Sequence, residues 1–295
     1  MPEHKPPDTL MLGTIHTPLE VELHGGVAGR RSGGVSEYFY SKPGEVSTAY
    51  PCYNTIIGAL LRTRKIEMSI SHIVRLSDSP LVEEVKHGRT ERAATTIRPA
   101  ECCWHLVLIR YNGGAELRIV GPLTIATPLS YPEGAELLWI KFRLGAFMPR
   151  LPLKSFLDTE KSLPDATSQS FWLDGSTWQY PSYENADTFV EWLVRKEILV
   201  SDPVVKAALQ GQPQEVADRT LRHRFLRATG LTQKQIQQFQ RAQLAWTLLQ
   251  QGVSILDTVE EAGYFDQPHL TRALKHWLGH TPAQIVRMEK TAVIL

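Results

Sequence analysis

Apolar and polar residues sort into two regimes along the chain. From Trp104 to Tyr111 the residues form one apolar run, Asn112-Gly113-Gly114 follows as a hairpin turn, and Glu116 to Val120 reads as the returning strand. Gly121-Pro122 breaks the pattern before Leu123 to Thr127, and Pro132-Glu133-Gly134 turns the chain into Glu136 to Arg143. Short strands with a turn about every ten residues predict a small sandwich or barrel. Ahead of this block, Ser79-Pro80 has the form of a helix start, with Leu81, Val82 and Val85 as an apolar face and Gly88 as the stop. Behind it, Pro149 to Tyr183 shows no period, and Trp172, Trp178 and Tyr180 are its expected packing anchors. Phe189, Val190, Leu193 and Val194 then share one helical face. Beyond them the pattern is almost wholly helical, with caps at Thr232 and Ser254 and stops at Gly230, Gly252, Gly263 and Gly279.

The expected fold class is α+β, a β-rich domain followed by an all-helical one. Three parts are expected: a poorly ordered extension over 1–67, a β-rich domain over 68–200 and a helical domain over 201–290. The first part holds Gly25, Gly26, Gly29, Gly33 and Gly34 among polar residues without a period.

Composition narrows the class. Hydrophobic residues make up 42% and charged residues 21% of the 295, as in globular domains. No apolar run approaches the length of a membrane span, and the first ten residues lack a signal peptide's apolar core. Three cysteines, Cys52, Cys102 and Cys103, make no disulfide framework, so a cytoplasmic location is expected. The net charge is +1, divided as +3 after Ser201 and −2 before it. That asymmetry is too small to identify a partner, so the argument turns on placement.

The stretch Ser254 to Pro282 carries the placement. Ser254 caps a short helix from Ile255 to Ala262, and Gly263 supplies a tight turn. Tyr264 and Phe265 are expected as aromatic plugs, and Asp266 caps a second helix that opens at Gln267-Pro268-His269. At about 100° per residue, Leu270, Ala273, Leu274, Trp277 and Leu278 fall on one side of it. Pro268, Arg272, Lys275 and His276 fall opposite, with Gln267 and His269 at the leading end. Helix, glycine turn and donor-rich helix make a helix-turn-helix whose second helix suits a DNA major groove. The same pattern also fits a helical hairpin that only packs. A second segment, Ala217 to Gly230, pairs Leu221 with Phe225 and crowds Arg219, Arg222, His223, Arg224 and Arg227 around them. A long helix from Gln233 to Gln251 joins the two, so two reading helices could enter grooves about 34 Å apart.

These residues resemble the DNA-binding domain of the AraC/XylS family of regulators over roughly 202–288. The likeness rests on Leu221, Phe225 and Gly230, on Arg241, Ala245, Leu248 and Leu249, and on the run Ile255, Gly263, Tyr264, Asp266, Gln267, Leu270, Arg272, Leu274, Lys275, Gly279, Thr281 and Pro282. The resemblance implies sequence-specific control of transcription at promoter DNA. It places Arg219, Arg222 and His223 at reading positions of the first motif, and Gln267, Pro268, His269 and Arg272 at those of the second. Three departures matter. Gln210 to Val216 is too short for the helix that supports the first reading helix, Thr258 replaces an aliphatic core residue, and Pro268 has no side-chain donor. The second motif is therefore expected to dominate base reading. The first helix is expected to be held mainly by Leu221, Phe225 and the connector, its arginines serving the DNA backbone.

The strand-rich block looks like the cupin-like domains that precede such DNA readers, a resemblance that implies an effector site or a dimerisation surface. An unidentified small-molecule effector, RNA polymerase and a second copy of the chain thus stand as partners left open. No cofactor, metal or catalytic residue is expected. The block lacks an H-x-H pair, and no nucleophile elbow, P-loop or dinucleotide fingerprint occurs. The alternative is a cupin-type enzyme or ligand-binding protein whose helical end is an interaction module.

Overall fold

The computed structural model describes residues 70–293, with side chains to Met288. The expected extension over 1–67 and Cys52 lie outside the described residues. The described residues form thirteen strands and seven α-helices. Strands β1 (Ile70–Leu76), β2 (Val82–Thr90), β7 (Glu136–Phe142), β4 (His105–Tyr111), β5 (Gly114–Val120) and β9 (Glu160–Ser162) form one antiparallel six-stranded sheet in that order. At the β4–β5 turn Asn112 and Gly113 have φ of 49° and 78°, the left-handed pair that a two-residue hairpin needs.

The apolar run of β4 has a simple cause. Leu106 and Leu108 face the main core, while Val107 and Ile109 pack on the other face with Val120 and Leu137. A strand buried on both faces shows no alternation. Against this sheet lie a two-stranded pair, β3 (Ala94–Arg98) with β6 (Thr127–Tyr131), and a short pair, β8 (Ala146–Phe147) with β13 (Val200–Ser201). The third strand expected at Leu123 therefore begins only at Thr127, Leu123 making a single bridge to Glu101.

Two expectations are corrected. The helix after Ser79 is β2, a central strand. Leu81, Val82 and Val85 mimic a helical face, but Gly88 lies in the strand, where a Cβ would come 2.6 Å from the Ser71 carbonyl oxygen. The tract after Pro149 is not irregular throughout. It holds a 3-10 turn (Leu153–Phe156), β9 and a three-stranded sheet of β10 (Asp165–Thr167), β11 (Ser170–Leu173) and β12 (Ser176–Gln179). Tyr180 and Phe171 are its buried anchors, whereas Trp172 is 47% exposed.

Helix α1 (Ala186–Arg195) buries Phe189, Val190 and Leu193. After β13 come α2 (Pro203–Leu209), α3 (Asp218–Thr229), α4 (Gln233–Gln250), α5 (Ile255–Glu261), α6 (Gln267–Leu278) and α7 (Pro282–Val293). One hydrophobic core runs from Val82 in β2 to Ile285 in α7, so the sheet and the helices share it. No helix among the described residues is long and apolar enough to cross a membrane.

Candidate nucleic-acid interface

Local chemistry builds the α5–α6 unit. The Ser254 hydroxyl accepts from the Asp257 amide at 3.2 Å and starts α5. Gly263, at φ 68°, reverses the chain, and the Tyr264 amide donates to the Val259 carbonyl at 2.8 Å. Tyr264 is buried beneath Arg241 of α4, whose guanidinium lies 4.4 Å from the ring centroid and donates to the Gly263 carbonyl at 3.3 Å. Burial holds the Tyr264 phenol above its usual pKa, against the pull of Arg241. The connector thereby pins the turn from outside.

Asp266 then caps α6, its Oδ1 accepting from the His269 amide at 2.7 Å. Leu270 and Leu274 are fully buried, and Trp277 meets Phe239 of α4 edge-on at 5.8 Å. Gln267, Pro268, Arg272 and Lys275 are exposed, and His269 is half-buried against Tyr264. Neither Arg272 nor Lys275 has a protein partner among the described residues. The expected plug at 265 is corrected. Tyr264 alone is buried, and Phe265 is 91% exposed.

The other end of α6 is anchored in the β-rich region. Its last carbonyls accept from backbone amides of that region, Trp277 from Ala100 at 2.7 Å and His276 from Ala126 at 2.8 Å. These carbonyls have no acceptor role inside the helix, so the bonds complete its C-terminus. Gly279 follows at φ 77°, and a Cβ there would come 2.4 Å from Ile97 of β3. Helix α6 thus presents its leading end to solvent and is fixed at its trailing end.

The first motif is arranged differently. No helix occupies 210–217, as its length predicts, and Ala217 makes no side-chain cap. Yet α3 is firmly seated. Asp202, the cap of α2, accepts from Arg224 Nε at 2.8 Å, and Arg227 lies over the Phe147 ring of β8 at 5.6 Å. Gly230 passes so close to Leu153 that a Cβ would lie 3.1 Å from its carbonyl carbon. The expectation that this helix is held mainly by Leu221, Phe225 and the connector is therefore corrected, because α2 and the β-rich region hold it too. Arg224 is paired within the protein, and Arg227 lies over Phe147 yet stays exposed, as do Arg219, Arg222 and His223.

Beneath β3 and beside α7 lies a cavity of about 790 Å³, reached by Lys86, Trp139 and Tyr131 of the β-rich region and by His280 and Met288 of the helical region. Its floor is a buried charge network. Lys141 Nζ lies 2.5 Å from Glu101 and 3.1 Å from Glu83, and His105 Nε2 lies 2.7 Å from Glu101. Burial alone would raise the Glu101 carboxyl, but Lys141 and His105 hold it well below the usual carboxylate range. Burial likewise opposes the Lys141 charge, and the acids around it raise its pKa well above normal. Burial pushes both Cys102 and Cys103 thiols up, so they are inert core residues. Sequence reading missed this network; its signal was Glu83-Glu84 inside an apolar strand.

The protein is a β-rich region followed by a helical region that contains a helix-turn-helix. Residues 215–288 match a helix-turn-helix domain model. Over 68 residues the chain is 38% identical to YidL, an uncharacterized HTH-type transcriptional regulator of Escherichia coli strain K12, which is 23% of this chain and 23% of that protein. The chain thus aligns with under a quarter of that curated relative's length. Structures of ToxT from Vibrio cholerae are also similar. One covers 74% of this chain and 98% of its own at 10% identity and a TM-score of 0.31. Another, from strain O395, covers 75% and 98% at 11% identity and a TM-score of 0.34.

Proposed function

We propose that this chain is a sequence-specific DNA-binding transcription regulator of the AraC/XylS type, with 201–290 as the DNA reader and 68–200 as a sensor or dimerisation domain. The observation that carries the reading is the two-sidedness of α6. One side is locked by Leu270, Leu274 and Trp277, and the other offers Gln267, Arg272 and Lys275 to solvent without partners among the described residues. Arginine pairs in bidentate fashion with guanine and glutamine with adenine. RNA polymerase and promoter DNA are the partners such a regulator meets. The cavity beside α7 offers a small-molecule effector a place next to the reading unit.

Selection of bound duplexes from a random pool, with the salt dependence of the winners, tests the reading. A defined site with a negative salt slope supports it. Recovery of no preferred sequence would turn the reading towards a ligand-binding protein with a helical interaction module. Arg272→Ala is expected to cost about 1–3 kcal/mol of specific binding and to relax one position of the site. Unchanged affinity and preference would remove Arg272 from base reading.

For the first motif, backbone contact is the favoured role, because α3 presents a cluster of basic side chains, Arg219, Arg222, His223 and Arg227, to solvent. Arg219→Ala and Arg222→Ala should each lower the salt slope by about one and weaken specific and random DNA alike. A changed sequence preference, about one helical turn from the bases read by α6, would show instead that the first motif reads bases.

A further inference from the structure

Among the described residues Phe265 has no packing role that accounts for it. It is 91% exposed and directly precedes the Asp266 cap of α6. A hydrophobic residue there commonly staples onto the fourth residue of the helix. That residue, Leu270, is fully buried while Phe265 remains in water, so no staple forms. The aromatic pairs of this segment join Tyr264 to His269 and His276 to Trp277, and the one guanidinium at the turn lies over Tyr264. The Phe265 main chain is nevertheless fixed, because its amide donates to His269 Nδ1 at 3.5 Å and its neighbour Asp266 caps the helix. An immobile backbone thus carries a free ring.

The surroundings give that ring a direction. Pro268, three residues on, is also exposed and apolar, so the leading end of α6 has an apolar edge. Gln267 adjoins it, and Arg272 and Lys275 follow further along the exposed face of α6, with donors and charge that suit a nucleic acid. In the major groove the one apolar feature of the base pairs is the 5-methyl group of thymine. We propose that Phe265, with Pro268 at its side, is a specificity determinant that packs on the methyl group of a thymine in the site read by α6. The proposal rests on the DNA-reading function above.

Deoxyuridine in place of thymine removes the methyl group and keeps the base pair. In the full chain's selected duplex, each thymine is replaced singly and binding is measured for the wild type and for Phe265→Ala. The expected result is one position where the wild type weakens roughly fourfold, the worth of one buried methyl group. There Phe265→Ala binds both duplexes equally, and Phe265→Leu keeps part of the preference. The exposed ring contributes nothing to the core, so Phe265→Ala should melt with the wild type. Selection of a site without any thymine coupled to Phe265 overturns this inference and leaves the regulator reading intact. Uniform weakening of all duplexes by Phe265→Ala likewise assigns the ring to general contact and overturns it. Selection of no site at all overturns both.

Discussion

Replacing Lys141 by alanine should destabilise the protein by about 3–5 kcal/mol, the usual loss when one partner of a buried ion pair is removed. Lys141 is the cation between Glu83 and Glu101, and its loss leaves two acids facing each other under the sheet. The pH dependence fixes the cause. Glu101 has a lowered pKa in the folded protein, so its contribution is complete above the ordinary carboxylate value of about 4.3 and is lost as pH falls through the folded value. Lys141 has a raised pKa, so its contribution is complete below about 10.4 and is lost as pH rises through the folded value. Glu83 works the other way, since burial holds its carboxyl above its usual pKa, so the wild type gains somewhat as pH falls through that raised value. Without the lysine, repulsion raises the carboxyl pKa values, and acidification towards pH 5 then relieves the variant. Urea midpoints at pH 7 and pH 5 check this. A loss under about 1 kcal/mol, or a gap that does not narrow on acidification, would show that the network does not act this way.

Leu274→Ala is the second large expected effect, about 2–5 kcal/mol, as for other fully buried leucines. Leu274 is completely covered and sits on the inner face of α6, opposite the side proposed to read DNA. The loss should appear in the unfolding of the whole described structure, because the helices share their core with the sheet. Leu256→Ala on α5 is the control. That side chain is 72% exposed, and its removal should change stability by about 0.5 kcal/mol or less. A Leu274→Ala protein that melts with the wild type would show that α6 does not pack through this face.

The helical region was legible because its signals are local. Asp266, Gly263 and Gly279 announce the ends of α6 within its own sequence, and its apolar period names the buried side. The β4–β5 hairpin was legible for the same reason, through Asn112-Gly113. What sequence reading missed depends on partners far along the chain. In β2, Glu83 is buried because Lys141 lies across the sheet, and the strand therefore looks like a polar-faced helix. Arg224 and Arg227 read as free phosphate contacts until Asp202 and Phe147 are seen beside them. Phe265 looked like core because phenylalanine beside a tyrosine in a turn usually is; only the fold shows that Tyr264 takes the one buried place.

The two bonds from Ala100 and Ala126 to the end of α6 bear on the order in which the molecule is made. A ribosome delivers those amides more than a hundred residues before the carbonyls that receive them. Until α6 arrives, the nascent β-rich region must leave both donors and the Ile97 side chain to water, and its surface is finished only when α6 docks. The helix-turn-helix is therefore a closing piece rather than a bead on a string. Grafted onto another β-rich region, these helices would bring Asp266 and the exposed face of α6 intact but would leave behind the groups that finish the far end of the helix.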